Sequence, residues 1–123
     1  MKQPIKKTAK AKNTAEEQVK LYETISPLLD AAFDEVKEFS KKKQDEPLNL
    51  TKVKMINRLL EKAKEVLKSE PTVDFLDMLD EDNLPSNSDA VLTMSQFISA
   101  MDKFRRDHYH SHQWDLDFGG EWD

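Results

Sequence analysis

Between Thr51 and Lys68 the apolar residues Val53, Ile56, Leu60, Ala63 and Leu67 recur at steps of three, four, three and four. An α-helix brings positions with that spacing onto one side, so the pattern predicts an amphipathic helix over residues 51–68. Leu59 and Val66 widen the stripe. The repeat persists for only about two heptads, which suits a helix packed in a bundle better than a long coiled coil.

The same logic extends in both directions. Upstream, Tyr22, Ile25, Leu29, Ala32, Phe33, Val36 and Phe39 form a second stripe at helical spacing. Thr14-x-x-Glu17 reads as a capping box that starts this helix. Pro27 falls inside it and predicts a kink, or a restart with Ser26 as cap. Lys41, Lys42 and Lys43 suit its C-terminus, where cations meet the negative end of the helix dipole.

Downstream, Pro47 marks a loop and Pro71 a second break. Thr72 to Leu79 predicts a short amphipathic helix with Phe75, Leu76 and Leu79 inward. An acidic turn follows at Asp80, Glu81, Asp82 and Asn83. Ser86 or Ser88 then caps a last helix carrying Val91, Met94, Phe97, Ile98, Met101 and Phe104, which reaches about Tyr109. With only two glycines and no strand-like alternation of useful length, the expectation is an all-α fold. It is a small helical bundle of about four helices: two longer antiparallel ones, a short one across an end, and one that closes the core.

Charge divides the chain more sharply than hydropathy does. Residues 1–13 carry five lysines and no acid, and read as a disordered basic arm. Residues 14–69 carry eleven basic and eleven acidic residues. Residues 70–123 carry three basic and thirteen acidic residues, a balance of −10. The expected organisation is therefore an arm at 1–13, a bundle domain at 14–112 and an acidic, aromatic tail at 113–123. The absence of cysteine excludes disulfides and thiolate chemistry and is compatible with a reducing, cytoplasmic compartment. The longest charge-free apolar stretch, Ala90 to Met101, spans twelve residues, too short to cross a membrane.

Two segments carry candidate chemistry. The first is His108-x-His110-x-His112, just after Arg105 and Arg106. His108 and His112 lie four apart, so a continuing helix turns both imidazoles to one side, as a metal site needs, with Asp115 or Asp117 to complete it. Four residues separate Arg105 from His110, and five separate Arg106 from His112, with Asp107 directly after the arginine. This spacing resembles the Arg-x(4–6)-His motif of HEPN-domain ribonucleases, over the eight residues Arg105 to His112. The resemblance implies an all-helical, metal-independent ribonuclease in which arginine and histidine act on the RNA phosphate and 2′-hydroxyl, usually across a dimer. The plainest reading is a solvated helix end, where histidine interacts favourably with the dipole.

The second segment is the tail, Trp114 to Asp123. It holds both tryptophans of the protein, with Leu116 and Phe118 between them, interleaved with Asp115, Asp117, Glu121 and Asp123. Exposed aromatics cost solubility, so the rings either cap the chain's own bundle or serve as anchors for a partner.

No phosphate-binding glycine loop, nucleophile elbow or calcium loop is present. A field of −10 repels RNA and DNA and attracts a basic surface. The function expected is thus non-enzymatic and without a cofactor. The chain would be a protein–protein interaction module, of the kind seen in antitoxins, immunity proteins, inhibitors or complex subunits. It would bind a basic partner with Trp114, Phe118 and Trp122 as anchors and Asp115, Asp117 and Glu121 as the charged rim. The lysine arm adds an option for weak nucleic-acid contact. Exposed residues on the second and fourth helices would support a homodimer as readily as a monomer.

Overall fold

The first helix, α1, runs unbroken from Gln3–Lys42, three turns further upstream than the capping box suggests. The computed structural model describes the backbone of residues 3–111 and the side chains of residues 15–108. Thr14 therefore sits within α1 rather than at its start, and residues 3–13 are helical where a disordered arm is expected. The physical reason is local. Pro4 falls in the first turn, where it is tolerated, and the alanines and lysines that follow are strong helix formers with no breaker among them. Pro27 neither ends nor restarts the helix. Its missing N–H costs one backbone bond, but Ile25 and Leu29 on either side of it are buried, and that packing holds the helix through the defect.

The second helix, α2, spans Leu50–Val66 and follows its stripe closely: Val53, Ile56, Leu60, Ala63 and Val66 are buried. Asn49 caps it, its side chain accepting the Lys52 backbone N–H at 2.8 Å. At the other end the Gln18 amide donates to the Val66 carbonyl at 2.8 Å, satisfying one orphan acceptor and tying α2 to α1.

The expected short helix at 72–79 is not formed. A 3-10 helix covers Pro71–Phe75, and the chain is non-helical from Leu76 to Asp80. Two hydrogen-bonding groups compete with helix here. Asn57, buried on α2, donates to the Leu79 carbonyl at 2.8 Å and accepts the Leu79 N–H at 2.9 Å. The Asp80 carboxylate accepts the N–H groups of Asp82 and Asn83 at 2.8 and 3.0 Å. An eight-residue segment has too few helical bonds of its own to outweigh them. Leu76 and Leu79 still reach the core, but Phe75 does not.

The last helix, α3, spans Asn87–Ser111. Ser86 caps it, its hydroxyl accepting the Asp89 N–H at 3.1 Å. Met94, Phe97, Met101 and Phe104 are buried, and Val91 and Ile98 pack at the margin. Each fully buried side chain of this size contributes about 1.5–3 kcal/mol by leaving water.

A backbone clamp joins the α1–α2 loop to the start of α3. The Leu48 N–H bonds the Pro85 carbonyl at 2.8 Å, Asn87 N–H bonds Glu46 at 2.8 Å, and Ser88 N–H bonds Gln44 at 3.0 Å. The buried Asn87 side chain adds a bond to the Lys43 carbonyl at 2.8 Å. The C-terminus of α1 and the N-termini of α2 and α3 thus meet at one end, and both shorter helices run antiparallel to α1. The result is a small all-α bundle of three α-helices among the described residues. No described helix is long and apolar enough to cross a membrane.

Candidate protein-interaction surfaces

The loop between α2 and α3 concentrates negative charge. From Glu70 to Asp82 there are six carboxylates and no cationic side chain. Asp74, Asp77, Asp80, Glu81 and Asp82 are exposed. In their midst Phe75 is 78% exposed. The 3-10 helix turns this ring outward, and the loop is held from beneath by the burial of Leu76 and Leu79 and by the Asn57 bonds. Asn57 also donates to Glu81 at 3.3 Å, which fixes one carboxylate at the rim. An aromatic side chain set among carboxylates on a rigid base has the chemistry of an interface anchor with an acidic rim.

A second surface lies between α1 and α2. An open groove of about 820 Å³ is floored by Ile25, Val36 and Ile56, with Leu28 and Met55 at its lips. Leu28 and Met55 are 53% and 59% exposed. The ammonium of Lys52 sits 4.3 Å from the centre of the Phe39 ring at one end.

The arginine and histidine residues near the end of α3 are engaged within the helix. Arg105 and Arg106 both face Asp102, at 3.4 and 3.5 Å. The His108 ring lies 3.8 Å from that of Phe104, and its Nδ1 is 3.0 Å from the Phe104 carbonyl oxygen. Lys103 and Asp107 pair at 2.6 Å. That hydrogen bond, reinforced by the opposite charges, holds the Asp107 carboxyl below its usual pKa and raises Lys103 above its own. Among the described residues no three histidine or carboxylate groups gather as a metal site would require.

The backbone at His110 belongs to α3, but its side chain lies outside the described residues. His112, Trp114, Asp115, Asp117, Phe118, Glu121 and Trp122 lie wholly outside them. The arginine–histidine and His108–His112 pairings, and the tail anchors, therefore have no described geometry.

No family model, curated protein or solved structure matches this chain.

Phe75 and the groove are both missed by sequence reasoning. Phe75 reads as core because an α-helix over 72–79 would carry it on one face with Leu76 and Leu79, and the 3-10 helix formed instead does not. Leu28 and Met55 carry a signal: each is a large apolar residue set off the stripe of its own helix.

Proposed function

We propose that the chain is a non-enzymatic protein-interaction module that docks its acidic half, residues 70–123, on a basic surface of a protein partner. The observation that carries this reading is the exposed Phe75 held among carboxylates, in a stretch from Glu70 to Asp82 that contains no compensating cation. The aromatic residues of the tail, Trp114, Phe118 and Trp122, with Asp115, Asp117 and Glu121, repeat the same chemistry in the same half of the chain. Carboxylates steer a basic partner into contact and set its orientation, and buried rings supply most of the binding energy. An inhibitor or a complex subunit acts in this way.

The test is affinity capture from native cells with the tagged full chain, a chain lacking residues 113–123, and a D74K/D77K/D82K variant. These three carboxylates are exposed, and neither the Asn57 bonds nor the Asp80 turn uses their side chains. The expected result is a basic protein retained by the parent and lost with either change. Capture of the same proteins by all three forms contradicts the proposal.

A further inference from the structure

The groove between α1 and α2 is long enough to seat one more helix. Lys52 lies over the Phe39 ring at one end, and Gln18 bonds Val66 beyond the other, so the two helices that wall it run antiparallel. Its lining extends from Ile25 to Phe39 on α1 and from Lys52 to Lys62 on α2. At about 1.5 Å per residue these walls are about 21 and 15 Å long, or about three to four helical turns. Among the described residues only α1 and α2 line the groove, so α3 leaves this side of the pair uncovered. Ala31 is exposed and Ala32 half-buried midway along α1, between the larger Leu28 and Glu35. Small side chains at that point let the backbone of an incoming helix come close, because the separation of packed helices follows the size of the side chains between them.

The two walls differ in charge. α2 lines the groove with Lys52, Arg58 and Lys62 against one acid, Glu61, whereas α1 contributes Glu35. Lys62 lies 3.5 Å from Glu65, but both side chains are more than half exposed, and a pair of that kind holds its lysine only weakly. A helix laid in the groove therefore meets apolar side chains beneath it and an excess of cations along α2. A second copy of the chain does not supply such a helix. The same face on a second copy is also concave and offers no ridge to fill the groove. α3 exposes one large apolar side chain, Leu92, among its described residues, where a docked helix needs a row at steps of three and four.

We propose that the α1–α2 groove is a second docking site, which receives an amphipathic helix of a protein partner with an acidic flank. The apolar row of that helix lies over Ile25, Val36 and Ile56, between the lips formed by Leu28 and Met55. Its closest approach is at Ala31 and Ala32. Its carboxylates face Lys52, Arg58 and Lys62, which fixes the helix in the groove and turns away helices with a basic flank. The site shares no residue with the acidic loop around Phe75, so it stands or falls independently of what that loop binds.

The experiment selects displayed peptides of about fourteen residues, the length of the longer wall, on the full chain. Each peptide has leucines at helical spacing and Glu, Gln or Lys at the flank positions. Affinities of the retained peptides are then measured for the parent, Ala31→Gln, K52E/R58E/K62E and D74K/D77K/D82K. All the substituted residues are exposed, so these variants keep the fold. The expected result is retention of glutamate-flanked peptides by the parent and by D74K/D77K/D82K. Ala31→Gln fills the groove without adding charge and weakens them about tenfold, while K52E/R58E/K62E prefers the lysine-flanked set. Retention of no peptide, or retention without regard to flank charge, overturns the proposal. Equal affinity in parent, Ala31→Gln and K52E/R58E/K62E also overturns it, because the peptides then bind elsewhere. So does a parent that sediments as a dimer and becomes a monomer in Ala31→Gln, which assigns the groove to a second copy.

Discussion

Asn57 shows how much of this fold depends on single polar atoms. It lies within the apolar stripe of α2 and meets both backbone groups of Leu79. Replacing it with alanine leaves a buried N–H and carbonyl without their partners, at a cost of about 1–3 kcal/mol. Urea unfolding of Asn57→Ala is expected to show that loss, and an unchanged midpoint would mean the loop is held by Leu76 and Leu79 alone. The Lys103–Asp107 pair behaves differently, because both groups are exposed and their coupling shows in titration. Asp107 has its pKa lowered in the folded state, so the pair's contribution is present above the ordinary value of 3.8 and is lost as pH falls through the lowered one. Lys103 has its pKa raised above 10.5, so the contribution is present below that value and is lost as pH rises through the raised one. Between these limits the pair contributes no pH dependence. An NMR titration of Asp107 is expected to give a midpoint below 3.8 that rises toward it in Lys103→Met; equal midpoints would show the pair to be open in solution.

At the scale of elements, periodicity was informative and punctuation was not. The stripes of α2 and α3 appear in the sequence because burial on one side leaves a 3.6-residue trace, and Val53, Leu60, Met94 and Phe97 are buried accordingly. Thr14 as a start and Ser26-Pro27 as a restart mislead because a cap or a proline states only a local preference. Upstream helix formers override the first, and burial around Ile25 and Leu29 overrides the second. The acidic turn at 80–83 was legible, since Asp80 holds it through its own near neighbours, but the stretch 71–79 was not, for the opposite reason. Its conformation is set by Asn57, which lies 22 residues from Leu79, and no local pattern records such a contact. Pro27→Ala restores one backbone bond and removes a clash within α1, partly offset by a more flexible unfolded chain. A net stabilisation of about 2 kcal/mol is expected from thermal or denaturant unfolding. A less stable variant would show that the proline shapes the packing of α1 rather than burdening it.

For the whole molecule the dominant feature is polarity of charge along the chain: five lysines before residue 14, balance through α2, and −10 thereafter. The fold holds the acidic loop between α2 and α3 on a rigid base and leaves Phe75 outside the core. Because Phe75 is so exposed, Phe75→Ser is expected to leave stability within about 0.5 kcal/mol of the parent while weakening partner binding. The measurement that bears most directly on the central claim is the affinity of the full chain for its captured partner as a function of salt, beside D74K/D77K/D82K. The account predicts affinity that falls steeply with salt in the parent, and a variant that binds at least tenfold more weakly at low salt, a difference of about 1.4 kcal/mol. Affinity independent of salt and equal in parent and variant would contradict it.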